Sequence, residues 1–157
     1  MNRRRWRSPK RTGGPEYQES EDLCLYVQTL HPEIWPVVYH VPNERSNAVE
    51  AKRLSAIGVK PGVPDFVFPV ARCGFHGLYL ELKATGATPS DVRETQSGFC
   101  ERLQREGYAA IAALGLDSAI RVIDAYFLGT REEWDQAFPP GTLIVRDKEK
   151  NRLGRVQ

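Results

Sequence analysis

The segment Gly77-Leu-Tyr-Leu-Glu-Leu-Lys83 constrains this chain more than any other, because its alternation suits only one kind of backbone. A strand with a period of two puts Leu78, Leu80 and Leu82 on one face and Tyr79, Glu81 and Lys83 on the other. The leucine face requires a core. Glutamate and lysine are poor strand formers, and taking them out of water is costly unless they are paired or bind a metal. A second short apolar run, Asp65-Phe-Val-Phe68, follows Pro64 directly. The intervening Ala71–His76 is the size of a hairpin connection, so the two runs are expected to be adjacent antiparallel strands. That pairing brings the Asp65 carboxylate beside the carboxylate of Glu81.

Two carboxylates a few ångströms apart repel unless something positive lies between them. Mg²⁺ suits that place, since it takes oxygen ligands and keeps several waters. It makes a bound water a better nucleophile and neutralises charge building on a phosphate. Lys83 would hold or help deprotonate that water, or stabilise a pentavalent transition state. Spacing alone leaves an alternative open, a Glu81–Lys83 salt bridge on the surface of an edge strand.

With 157 residues, the chain has room for one domain with a sizeable core and not for two comfortable ones. No apolar run approaches the roughly 18 residues that cross a bilayer. The basic N-terminus lacks the apolar stretch of a secretory signal. The expected location is therefore intracellular: the cytoplasm of a bacterial or phage-infected cell, or a nucleus. Cys24, Cys73 and Cys100 are odd in number, widely spaced and without a C-x-x-C pair, which fits reduced, packed thiols better than disulfides or zinc. His31, His40 and His76 show no ligand spacing either. No phosphate-binding glycine motif follows a strand, so no nucleotide cofactor is expected.

The net charge of +2 conceals an asymmetry. Arg3, Arg4, Arg5, Arg7, Lys10 and Arg11 fall within the first 12 residues without an acid, around Trp6; the remainder holds 16 basic against 20 acidic side chains. A basic arm on a mildly acidic body is the usual form of a phosphate-backbone tether, with a solvated tail as the alternative. Residues 1–15 are read as this arm, without regular structure.

Hydrophobic periodicity predicts a helix over Glu16–Leu30, through Leu23, Tyr26, Val27 and Leu30, stopped by His31-Pro32. Residues 36–41 have strand composition. Ser46 is a suitable cap for a second helix ending at Ile57-Gly58. After the two central strands, Thr88-Pro89-Ser90-Asp91 opens a helix expected to reach Glu106. Tyr108–Leu114 is a third core strand, 118–128 and 131–137 are helical, and Thr142–Val145 is an edge strand. The order α-β-α-β-β-α-β-α makes an α/β domain with a mixed sheet.

Helical phase singles out two more polar residues. Glu19 shares a stripe with Leu23, Tyr26 and Leu30, whereas Glu21 faces the other way. Gln96 lies on the stripe of Val92, Phe99, Cys100 and Leu103. A helix-end carboxylate in solvent and a satisfied buried amide are the plain alternatives. Glu16 lies near the same stripe as Glu19.

Gly62-Val-Pro-Asp65 and, after fifteen intervening residues, Glu81-Leu-Lys83 resemble the P-D…E-x-K signature of restriction-endonuclease-like nucleases. More narrowly, His40-Val-Pro-Asn43, Gly58-Val-Lys-Pro-Gly-Val-Pro-Asp65, Gly77–Lys83, Gln96 and Gly107-Tyr108 are similar to the virus-type replication-repair nuclease (VRR-NUC) domain. The match runs over residues 16–128 and leaves 129–157 as a C-terminal extension of unknown role. The resemblance implies a restriction-endonuclease-like core, a mixed central sheet flanked by helices. It implies Mg²⁺ or Mn²⁺ held by Asp65, Glu81 and the backbone carbonyl of Leu82, with Lys83, Gln96 and Glu19 completing the catalytic set. Arg3, Arg4, Arg5, Arg7, His40, Asn43 and Lys60 are the candidate DNA contacts; Lys52 and Arg53 are further backbone candidates, and a solvated helix face explains these two and Lys60 equally well.

The implied activity is metal-dependent hydrolysis of phosphodiester bonds by an endodeoxyribonuclease. Small stand-alone relatives resemble Holliday-junction resolvases of DNA repair and recombination and act as homodimers, which offer two sites to two symmetric strands. The alternatives are a restriction-type or flap nuclease, and a DNA-binding protein that keeps the fold without catalysis. No helix-turn-helix or zinc finger is evident, so recognition by DNA shape is expected over recognition by sequence.

Overall fold

The computed structural model describes residues 14–43 and 47–147. The basic arm with Arg3, Arg4, Arg5 and Arg7, the turn residues Glu44–Ser46 and the last ten residues lie outside the described residues.

Helix α1 (Pro15–Leu30) starts with proline at its first position, where the missing N–H costs nothing, and buries Leu23 and Val27. It ends at His31, whose N–H closes onto the carbonyl of Val27. The strand expected over 36–41 is mostly not one. Pro36 lies inside a short 3₁₀ turn (Trp35–Val37), and only Tyr39–His40 pairs, as β1. Proline lacks the N–H that a ladder needs, so the run cannot begin earlier. Helix α2 (Ala48–Ala56) is capped by Asn47, whose side chain accepts the Glu50 N–H, rather than by the expected Ser46. It buries no residue.

Strands β2 (Phe66–Phe68) and β3 (Leu78–Lys83) pair antiparallel, with Phe66 opposite Leu80 and Phe68 opposite Leu78. A 3₁₀ turn at Pro89–Asp91 precedes α3 (Glu94–Arg105), so the single helix expected from Thr88 is broken at Val92-Arg93. The Thr88–Asp91 capping pair forms as expected but closes only the turn. Strand β4 (Ala109–Leu114) lies parallel to β3, and β5 (Ile144–Arg146) parallel to β4, giving the order β1-β2-β3-β4-β5. Helices α4 (Leu116–Leu128) and α5 (Arg131–Ala137) connect β4 to β5.

The sheet has two unlike faces. Leu78, Leu80, Leu82, Ile111 and Ala113 pack with Leu23, Val122, Ile123 and Tyr126 in the main core, between the sheet and helices α1 and α4. Each large aliphatic buried there contributes about 1.5–3 kcal/mol. The opposite face carries Glu81 and Lys83 and is covered by α3, beside a small cluster of Val92, Ala112 and Leu114. Trp134, Phe138 and Val145 join the main core, so residues 131–146 of the segment beyond the motif blocks are built into the domain. Tyr26 donates to Asp124 at 2.6 Å and His31 lies 3.4 Å from the same oxygen, which ties α1 to α4.

Candidate active site

Alternation along β3 turns Glu81 and Lys83 away from the leucine core and toward α3. Glu81 is 2% exposed, deeper than any other carboxylate among the described residues. Lys83 Nζ lies 3.0 Å from Glu81 Oε1, and the Gln96 side-chain amide donates to the same oxygen. Glu81 Oε2 is buried and has no hydrogen-bond partner in the structure. The edge-strand salt bridge is thereby excluded: β3 is central in the sheet, and the pair is buried.

Asp65 stands one residue before β2, beyond the last paired residues of that strand. Its backbone carbonyl accepts the Val41 N–H at 2.7 Å, while its side-chain Oδ2 accepts the Leu82 N–H at 3.0 Å. The carboxylate is thus fixed across the gap where β2 ends and β3 continues. Gly62 helps to place it. With φ +80, its backbone comes so close to α3 that an added Cβ would lie 2.4 Å from the Thr95 carbonyl oxygen. Only glycine permits that approach, which seats the loop leading to Asp65 against the helix end carrying Gln96.

Burial raises both acids. The Glu81 carboxyl is pushed up to about 7, first by burial and then by the Asp65 charge, against the pull of Lys83. Asp65 is raised by burial, offset by the Leu82 N–H and by the nearby His40 and Lys83. Glu81 is buried and Asp65 half-buried, both are costly to ionise, and one Glu81 oxygen lacks a partner, an arrangement that added positive charge would stabilise as carboxylates. Among the described residues no three His, Cys, Asp or Glu side chains converge as a metal cluster. Two carboxylates facing an open cleft are oxygen donors of the kind Mg²⁺ takes while it keeps several waters.

An open cleft of about 990 Å³ lies over these residues, and Asp65, Glu81, Lys83, Gln96, His40 and Asn43 all line it. Asn43 donates to the Val63 carbonyl at 2.8 Å, and His40 stacks edge-on against Phe66. Lys60 is exposed and stands outside the cleft lining, as do Lys52 and Arg53 on α2.

Glu19 is placed differently from the expectation. Both its carboxylate oxygens accept the Thr85 N–H, at 2.9 and 3.1 Å, and it does not line the cleft. The acids of α1 that line the cleft are Glu16 and Glu21, and the charge of Glu16 acts on Glu81. Helical phase does not hold for the site: Glu21, expected to face away, lines the cleft with Glu16, while the stripe of Glu19 and Leu23 turns to the core. Gln96 does reach the cluster, where it is held at both ends: its carbonyl oxygen accepts the Arg93 N–H at 2.9 Å while its amide grips Glu81. Arg93 itself lines the cleft and was not anticipated, because a helix expected to start at Thr88 hides the break that turns residue 93 outward.

No protein-family model and no curated protein matches this chain. Among solved structures, a chain described as "VRR_NUC domain protein" superposes with a TM-score of 0.64 at 29% sequence identity, covering 76% of this chain and 93% of that one. The mixed sheet flanked by helices is accordingly a VRR-NUC-like fold with a restriction-endonuclease-like core. No helix among the described residues is long and apolar enough to cross a membrane.

Proposed function

We propose that this chain is a divalent-metal-dependent nuclease that hydrolyses phosphodiester bonds in DNA at the Asp65–Glu81–Lys83 cluster. The observation that carries the reading is the unpartnered, buried Glu81 Oε2 beside Asp65, with a lysine ammonium 3.0 Å from the other oxygen. A pure binding protein has no use for buried, converging carboxylates next to phosphate, since they repel it. The similarity to a VRR_NUC domain protein supports the same reading.

Asp65 and Glu81 would hold Mg²⁺ or Mn²⁺, joined by the carbonyl of Leu82. In an extended strand the N–H and C=O of one residue project to the same side, and the Leu82 N–H already meets Asp65. When bound, the cation supplies positive charge against the phosphate and lowers the pKa of an attacking water. Lys83 places its ammonium at the same point, where it holds the water or meets charge developing on the phosphate. Gln96 keeps Glu81 in one rotamer by donating to it while anchored to the Arg93 backbone. Glu16, in place of Glu19, is the further acid of α1 whose charge reaches Glu81, with Glu21 also in the cleft lining. Arg93, His40 and Asn43 also line the cleft, where a phosphodiester can be positioned.

The substrate we favour is branched DNA of the four-way-junction class, cut by a homodimer with one active site for each strand. The test is to incubate the protein with labelled four-way junction, flap, single-stranded and duplex DNA in Mg²⁺, Mn²⁺ or EDTA. Metal-dependent cleavage abolished by Glu81→Ala is expected. Lack of cleavage on every substrate, or cleavage indifferent to Glu81→Ala, overturns the assignment. Light scattering that shows a monomer at micromolar concentration overturns the dimer alone.

A further inference from the structure

The elements that line the cleft differ in charge. Helix α1 contributes the acids Glu16 and Glu21, whereas the cations Lys83 and Arg93 come from β3 and from the turn before α3, and His40 acts on Asp65. A phosphodiester is repelled by the acids and attracted to the cations. A nucleotide seated with its phosphate at Lys83 and Arg93 therefore leaves its base, not its phosphate, to the lining that α1 contributes.

In that lining α1 offers Tyr17. It lines the cleft, is 60% exposed, and makes no ring contact or hydrogen bond among the described residues. It follows Glu16 in the first turn of the helix, at the point where the six-cation segment Arg3–Arg11 joins the domain. An exposed aromatic ring beside a channel for phosphate is the arrangement that stacks bases of single-stranded nucleic acid, with little regard to sequence.

We infer that Tyr17 forms a stacking subsite for an unpaired nucleobase adjacent to the phosphate held at Lys83. This rests on the nuclease reading above and adds the reason for a preference among substrates. Bases in a continuous duplex are stacked on one another and present no free face to Tyr17. Bases at a branch, a flap or a single-stranded end do. Selection of branched over continuous DNA then follows from a side chain on α1 and needs no sequence-reading module.

The experiment is equilibrium binding in EDTA, where cleavage plays no part, using the whole chain with Tyr17→Ala and Tyr17→Phe. The probes are a blunt duplex, the same duplex with a single-stranded flap, and a series of flapped duplexes with an abasic residue at each position around the branch. Tyr17→Ala is expected to weaken flap binding about tenfold, the scale of one stacked base. It should leave the blunt duplex unchanged, and Tyr17→Phe should bind like the unaltered protein. At one abasic position the unaltered chain and Tyr17→Ala should become equal, which a merely structural role for Tyr17 does not produce. Equal weakening on every DNA, or none on any, overturns the subsite. Failure of the unaltered chain to bind any of these DNAs overturns the subsite, and overturns the nuclease reading with it if none of them is cleaved in Mg²⁺. Normal Mg²⁺-dependent cleavage with flap binding unaffected by Tyr17→Ala removes the subsite alone.

Discussion

Glu19 on α1 accepts the backbone N–H of Thr85 with both carboxylate oxygens, at 2.9 and 3.1 Å. Thr85 stands two residues beyond Lys83, so this contact ties the end of β3 to the first helix. The same segment is held from the other side by the turn before α4. The Gly115 N–H donates to the Lys83 carbonyl at 2.8 Å, and a Cβ on Gly115 would lie 3.0 Å from Thr85 Oγ1. Lys83 thus sits on backbone fixed from both flanks, as the catalytic role proposed for its ammonium requires.

A positioning role for Glu19 separates two conservative variants. Glu19→Gln keeps an acceptor for the Thr85 N–H and should retain slow exchange of that amide and most of the cleavage rate. Glu19→Ala should cost about 1 kcal/mol and speed exchange at Thr85 several-fold. If Glu19→Gln proves as inactive as Glu81→Gln, Glu19 acts at the metal and the positioning role is wrong.

The raised Glu81 carboxyl makes the metal-free protein sensitive to pH. Its folded pKa of about 7 stands above the ordinary 4.5, so the native state holds this proton more tightly than the unfolded chain. The resulting stability is fully present below pH 4.5 and is lost as pH rises through 7. Glu81→Gln keeps the shape and removes the titration. At pH 8 without divalent ions it should be more stable than the unaltered protein by about 1–3 kcal/mol, with the gap closing near pH 5. Thermal melts across that range decide it.

Lys83→Met removes the ammonium that lies 3.0 Å from Glu81. The carboxyl should then titrate above 7, measurable by carbon NMR of labelled glutamate. The variant should lose about 3 kcal/mol at pH 8 and recover most of it at pH 5, where Glu81 is neutral in both proteins. An unchanged Glu81 titration would show that the 3.0 Å contact is not kept in solution.

Divalent ions should act in the opposite sense to the proton. Mg²⁺ at a hundred times its dissociation constant should stabilise the unaltered protein by about 2.7 kcal/mol, more weakly as pH falls below 7. Asp65→Asn and Glu81→Gln should show little of this shift. Equal stabilisation of all three would place the ion elsewhere.

Gly62→Ala tests how Asp65 is aimed. The substitution combines a left-handed backbone with a Cβ 2.4 Å from the Thr95 carbonyl oxygen, and should cost about 2–4 kcal/mol. Because the loop must withdraw from α3, cleavage should fall further than the melting temperature alone accounts for. Full activity at a temperature where the variant is folded would mean that the close approach is not needed.

Strand β3 and its two faces could be read directly from Gly77–Lys83, because alternation is a local property and a leucine face admits one environment. The same holds for β2, for the antiparallel hairpin and for the buried polar face of α3, since one period or one turn specifies each. The first helix was legible too, but not which of its acids serves the site. Glu16 and Glu19 differ by less than one turn, and the choice depends on where α1 crosses the end of β3. The break between Pro89–Asp91 and α3, which turns Arg93 outward, depends on how the chain packs after leaving β3. The short β1 follows from Pro36, a local signal outweighed by the β-branched residues around it. For Asp65, Glu81 and Lys83, sequence alone determined that an acid and a cation share one strand face with a second acid opposite. Tertiary structure decided that β3 is central rather than an edge. Burial behind α3 is what turns a pair that water would screen into a buried Glu81–Lys83 contact with one carboxylate oxygen left unpartnered.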